Sequence, residues 1–151
     1  MSEQNREHAE YPQLQLNNQL CFPLYAAARK VVSEYSPVLA PIGLTYTQYI
    51  VFLALWESGG KVKVGDLGRR LYLDCGTLTP LLKKMEESGW ITRSRSREDE
   101  RVVTVSLTDS GWALQTQAAG VPERMSGCAA IPAEKAETLR ALLYSLLETM
   151  N

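Results

Sequence analysis

The period of the hydrophobic pattern changes once along this chain, and that change restricts the fold more than any other feature. Leu78, Leu81, Leu82 and Met85 recur at i, i+3, i+4 and i+7, the spacing of one helix face, and Gly89 stops the run. Further on, Val103, Val105 and Leu107 alternate with Val102, Thr104 and Ser106, the period of two of a half-buried strand. Trp90 to Arg95 reads as the antiparallel partner of that strand, and Ser96-Arg97-Glu98-Asp99-Glu100 reads as the charged loop joining them. A helix that feeds directly into a charged-tip hairpin leaves few architectures open.

The flanking segments narrow the choice. Residues 1–16 read as a loose arm. Leu20, Leu24, Ala28, Val31 and Tyr35, with Cys21, Tyr25 and Val32, then predict a helix with a broad apolar face, ended by Pro37, Pro41 and Gly43. Thr45 followed by Gln48 is a capping-box pattern that opens a buried helix from Tyr46 to about Glu57. After the Ser58-Gly59-Gly60 turn, Val64, Leu67 and Leu71 fit a short third helix. Asp74 is a good N-cap for a fourth, running to Ser88, although Pro80 predicts either a kink or a start later than Asp74. Thr108-Asp109-Ser110-Gly111 begins a fifth helix that ends near Gly120-Val121-Pro122. Pro132 suits the first turn of a last helix, which carries Leu139, Leu142, Leu143, Leu146 and Leu147 on one side.

This order is mainly α with a small β-hairpin wing: a winged helix-turn-helix in one domain, residues 1–151. Segments of about 14–44 and 109–151 read as dimerisation helices, and about 45–108 as a DNA-binding lobe. The leucine stripe of the last helix needs a partner, either within the monomer or, as DNA binding favours, in a second copy; symmetric pairing would place two lobes on two half-sites of double-stranded DNA, an inverted-repeat operator.

The net charge is −1, but its distribution is uneven: Lys61 to Arg101 holds ten Lys/Arg against seven Asp/Glu, while the remainder holds six against ten. In the fourth helix Thr77, Pro80, Lys83 and Lys84 lie opposite the leucine face; Thr hydroxyls reach phosphates or base edges, and Lys neutralises phosphate. Arg93, Arg95, Arg97 and Arg101 put four arginines in nine residues of the hairpin. Each alone reads as a solvated charge, and Glu98, Asp99 and Glu100 oppose phosphate binding, unless Asp99 or Glu100 holds Arg101 in place.

Three cysteines (Cys21, Cys75, Cys128) and one histidine (His8), with no CxxC pair, rule out most zinc sites, and no metal or cofactor is expected. No apolar run reaches the roughly 20 residues of a membrane span, and Met1 to Tyr11 lacks the apolar core of a signal peptide. The expectation is a cytoplasmic protein whose thiols rest reduced. No Gly-rich phosphate loop or carboxylate pair suggests an enzyme.

The stretch from Leu71 to Glu86, with its Asp74-Cys75-Gly76-Thr77-Leu78-Thr79-Pro80 core, resembles the recognition segment of MarR-type regulators. Asp99-Glu100-Arg101 before a strand is similar to their wing motif. Leu20-Cys21-Phe22-Pro23-Leu24-Tyr25-Ala26 resembles the organic hydroperoxide-sensing branch. The likeness spans Leu14 to Met150. It implies DNA contact by Asp74, Cys75, Gly76, Thr77, Thr79, Pro80, Lys83 and Lys84, and by wing residues Arg93, Arg95, Arg97, Asp99 and Arg101. It also implies a redox-sensing Cys21 supported by Tyr35 and Tyr46 of the other subunit, and a resolving Cys128 that forms a disulfide with it. Two positions depart from the family: Cys75 stands where Ser is expected, and Pro23 is unusual so soon after the sensing cysteine.

The residues fit this chemistry. Tyr35 follows Cys21 by 14 positions, about 21 Å along a continuous helix at ~1.5 Å per residue, so a contact between them has to cross between subunits. Tyrosine hydroxyls can donate to a thiolate and favour it. Pro23 at the helix start would set Cys21 by the positive end of the helix dipole. Apolar neighbours Leu20, Phe22, Leu24 and Tyr25 favour organic hydroperoxides as the oxidant. From spacing alone, Cys21 reads as a small core residue, Cys128 as a bystander surface thiol, and Tyr35 and Tyr46 as core aromatics; the resemblance reverses the reading of Cys21. Two other functions stay open: a MarR-type regulator switched by a small aromatic ligand, and a thiol peroxidase.

Overall fold

The computed structural model describes residues 11–128 and 131–150; His8 lies outside the described residues. The chain divides into two compact units, Met1–Ser33 and Glu34–Asn151.

In the first unit the arm is not wholly irregular. Pro12–Leu14 and Leu16–Asn18 form single 3₁₀ turns, and the Asn18 side chain donates to the Pro12 carbonyl at 2.8 Å. Helix α1 (Cys21–Leu39) starts here, with Pro23 in its first turn, where a missing N–H leaves no bond unmade. Leu20, Phe22, Leu24, Tyr25, Val31 and Val32 are all exposed.

The second unit holds the core. Pro37 does not end α1, as expected from the sequence, but lies inside it, and the chain runs on through a 3₁₀ turn at Ala40–Ile42. Gly43, left-handed at φ 73°, makes the corner. Helix α2 (Tyr46–Glu57) opens with the full capping box: Thr45 Oγ1 accepts from the Gln48 N–H, and Gln48 Oε1 accepts from the Thr45 N–H. Helix α3 (Val64–Leu71) ends on Tyr72 in the left-handed region, a conformation that costs a non-glycine residue about 1 kcal/mol. That turn swings the chain into α4 (Cys75–Glu87).

Asp74 caps α4 as expected, its Oδ1 accepting from the Thr77 N–H at 2.8 Å. Pro80 lies within the helix, so of the two outcomes it predicted, a later start is ruled out. The sheet has one strand more than the expected hairpin. Strands β2 (Ile91–Arg95) and β3 (Val103–Leu107) pair antiparallel, and a short β1 (Lys61–Lys63) pairs with the other edge of β3. Three residues between two helix signals carry too little alternation to be read as a strand. Helix α5 (Asp109–Ala118), capped by Thr108, is followed by a short α6 (Val121–Met125) where the sequence suggested only a loop, and then by α7 (Ala133–Thr149).

Phe52, Leu55, Leu67, Leu78, Leu82, Met85, Ile91 and Val105 are at most 1% exposed and bind α2, α3, α4 and the sheet together. At roughly 1.5–3 kcal/mol for each large apolar side chain buried, this cluster fixes α4 against α2, α3 and the sheet. No residue of α7 is buried.

Candidate nucleic-acid interface and thiol site

Helix α4 turns its leucine face inward and its polar face out. Leu78, Leu82 and Met85 are buried, whereas Asp74, Cys75, Gly76, Thr77, Thr79, Pro80, Lys83 and Lys84 are all exposed. The α4 members of the sequence-predicted DNA-facing set are thus all open to solvent. Lys83 is 4.0 Å from Glu87, and Lys84 has no ion-pair partner among the described residues.

The wing is stiffened by its own hydrogen bonds. Ser96 Oγ accepts from the Glu98 and Asp99 N–H groups, Ser96 N–H donates to the Val102 carbonyl at 2.8 Å, and Arg95 donates to the Glu100 carbonyl. Asp99, one of the two candidates for the task, holds Arg101: its Oδ1 accepts from both the backbone N–H and Nε of Arg101 at 3.1 Å. These bonds keep the Asp99 carboxyl below the ordinary range. Arg97 stands exposed at the tip, with no ion pair among the described residues. Arg93 differs from the other three arginines: it is half-buried and engaged by Glu86, a residue the sequence reading missed.

A second cluster joins α1 to α2. Tyr35, Tyr46 and Tyr49 gather with ring centroids 4.7 Å (Tyr35–Tyr46) and 5.8 Å (Tyr35–Tyr49) apart. Tyr49 was not predicted; its i+3 position after Tyr46 at the start of α2 was the available signal. None of the three hydroxyls has a hydrogen-bond partner among the described residues. Burial pushes all three hydroxyls above their ordinary range. For Tyr35 the charges of Tyr46, Tyr49 and Cys128 push the same way. The three rings therefore hold their protons at neutral pH and present O–H donors. Cys128 ends the turn after α6, and its thiol lies 3.9 Å from the Met125 sulfur. Cys21 is the first residue of α1 and Cys75 the first of α4; all three thiols are exposed. No group of acidic, His or Cys side chains among the described residues could hold a metal ion. No single helix there is long and apolar enough to cross a membrane.

A helix-turn-helix whose second helix is polar outward and flanked by an arginine-bearing wing defines a class: winged-helix DNA-binding transcription regulators. The comparisons agree. A family described as transcriptional regulator SarA/Rot matches residues 33–116. The organic hydroperoxide resistance transcriptional regulator of Bacillus subtilis is 44% identical over 142 residues, covering 94% of this chain and 96% of the relative. AbfR, a protein of Staphylococcus epidermidis, is similar in two states. Its overoxidized, DNA-bound form superposes with TM-score 0.73 and 38% identity over 91% of this chain and 97% of that one. Its disulfide form gives TM-score 0.62 and 39% identity over 90% and 95%. The chain belongs to the MarR family of transcription regulators, in its organic hydroperoxide-resistance branch. It is a DNA-binding regulator and not an enzyme, which removes the thiol-peroxidase reading.

Proposed function

We propose that this chain is a homodimeric, cytoplasmic repressor that releases an inverted-repeat operator when an organic hydroperoxide oxidises Cys21. In this reading segments 14–44 and 109–151 pair with those of a second copy. The lobe at 45–108 reads DNA through Asp74 to Lys84 in one groove and through Arg95, Arg97 and Arg101 of the wing beside it. The observation that carries the switch is the tyrosine cluster. Tyr35, Tyr46 and Tyr49 gather with ring centroids 4.7 Å (Tyr35–Tyr46) and 5.8 Å (Tyr35–Tyr49) apart and present protonated hydroxyls without partners among the described residues. A thiolate entering from a second subunit finds hydrogen-bond donors there.

The Cys21 thiolate attacks one peroxide oxygen, the O–O bond breaks, and the alkoxide leaves and takes a proton to become the alcohol. Sulfur is oxidised by two electrons to sulfenic acid. The Cys128 thiol then displaces hydroxide, which leaves as water with the thiol proton, and a disulfide remains. An intersubunit bond draws the segment after α6 toward the partner's α1 and disturbs the spacing of the two lobes. A dithiol reductant restores both thiols.

One observation favours the ligand-switched alternative: a cavity of about 450 Å³ lined by Arg70, Tyr72, Leu139, Arg140, Leu143 and Tyr144, apolar with two guanidinium groups. Non-reducing electrophoresis after stoichiometric organic hydroperoxide separates the two. A covalent dimer in the wild type that is missing from C21S and C128S supports the cysteine switch. Three free thiols by mass, with DNA binding released by an aromatic acid, support the cavity.

A further inference from the structure

Sequence reasoning placed Arg93 among the phosphate-binding arginines, but its surroundings assign it another task. Glu86 stands in the last turn of α4, and Arg93 is the third residue of β2, an edge strand of the sheet. The Glu86 carboxylate accepts three hydrogen bonds from this one residue: the Arg93 backbone N–H on Oε1 at 2.8 Å, and Nε and Nη2 on Oε2 at 3.0 and 2.8 Å. Both side chains are largely withdrawn from solvent, with 27% of Arg93 and 35% of Glu86 exposed, against 91% for Arg101 in the wing's other ion pair. A two-point guanidinium clasp that also ties down a strand N–H fixes distance and direction, which a single surface ion pair does not. The clasp spans the turn between the recognition helix and the wing, the two elements that reach DNA.

We propose that Glu86 is a positioning residue for DNA binding, holding Arg93 and β2 against the last turn of α4 so that helix and wing keep one fixed spacing. The inference rests on the DNA-binding function and makes a prediction opposite in sign to simple electrostatics. A carboxylate on a phosphate-facing lobe repels DNA, so its neutralisation by charge alone tightens binding. As a positioning group, its neutralisation weakens binding.

The test uses the full-length reduced protein and a fluorescent duplex that the wild type selects from a random-sequence pool. Kd is measured by anisotropy across a range of salt concentrations for wild type, E86Q, R93A, E86Q/R93A and, as a control one residue further along α4, E87Q. Thermal melting of each variant confirms folding. The expected result is a roughly five- to tenfold weaker Kd for E86Q and for R93A, the scale of the net contribution of one ordinary hydrogen bond. The double variant is no weaker than either single one, E87Q is unchanged or tighter, and the salt slope of every variant equals that of wild type. If E86Q binds as tightly as or more tightly than wild type, the proposal is overturned. It is also overturned if R93A loses about 0.9 from the salt slope, the signature of one phosphate contact. Failure of the wild type to select any duplex overturns the DNA-binding function itself and this proposal with it.

Discussion

Replacing Gly111 with alanine sets two effects of opposite sign against each other. Gly111 lies in the first turn of α5 with its Cα facing the chain between α4 and β2. A Cβ there would stand 2.2 Å from the Trp90 carbonyl oxygen and 2.9 Å from Leu107 Cδ2, so α5 has to move by about an ångström. Three bonds hold that seam closed. Trp56 Nε1–H donates to the Gly111 carbonyl at 3.2 Å, Thr108 N–H to the Trp90 carbonyl at 3.1 Å, and Thr108 Oγ1–H to the Gly89 carbonyl at 2.6 Å. Overpacking costs roughly 1–3 kcal/mol, and a lost hydrogen bond adds about 1 kcal/mol. Helix propensity pulls the other way, favouring alanine by about 1 kcal/mol. The balance is about 2 kcal/mol of destabilisation, or a melting temperature lower by roughly 4–8 °C for a chain of this size. Urea and thermal unfolding at matched protein concentration measure it, since a dimer's stability depends on concentration. A G111A variant as stable as wild type would refute the packing argument, because propensity would then have won.

Leu82→Ala, at a site 1% exposed on the buried face of α4, is expected to cost 2–5 kcal/mol and to lower the unfolding midpoint accordingly. Asp74→Ala removes the α4 cap; a loss of about 1 kcal/mol in urea unfolding is expected, with DNA affinity reduced beyond that of a stability-matched core variant if Asp74 also faces DNA. The tyrosines give a pH dependence whose sign follows from their raised pKa. The folded state holds these protons more tightly than the unfolded chain, so their stabilisation is complete below the unfolded pKa of 10.0 and is lost as pH rises through the folded values. The unfolding midpoint should therefore fall above pH 10, and less steeply in Tyr35→Phe/Tyr46→Phe; an identical alkaline limb in that variant would count against the burial argument. Tyr35→Phe is further expected to slow oxidation of Cys21 by organic hydroperoxide, read as the rate of thiol loss, while leaving DNA affinity of the reduced protein unchanged.

The elements legible in the sequence were those with strong local signals. The capping residues Thr45 and Asp74 fixed two helix starts because each offers a side-chain acceptor to an N–H three residues on. The 3.6-to-2 period change located the recognition helix and the wing. What escaped was decided by contacts far apart in sequence or too short to carry a period. Strand β1 exists because Lys61–Lys63 meets Thr104–Ser106, some forty residues away. Pro37 stays inside α1 although proline ordinarily ends a helix. Residue types named the exposed polar surface of α4, but only the fold showed that Arg93 is clasped by Glu86 while Arg97 stands exposed at the tip. Tyr49 joined the tyrosine cluster because α2 begins at Tyr46, which puts positions 46 and 49 on one face.

Release of DNA on oxidation of Cys21 can be read by anisotropy of an operator-bound sample titrated with tert-butyl hydroperoxide, with wild type, C21S and C128S in parallel. Wild type should be released at about one equivalent per subunit and rebind on adding dithiothreitol, and C21S should stay bound at the same dose. C128S should form no covalent dimer. Release of C21S at the wild-type dose, or wild type that stays on DNA after its Cys21 thiol has been consumed, would contradict the Cys21 switch.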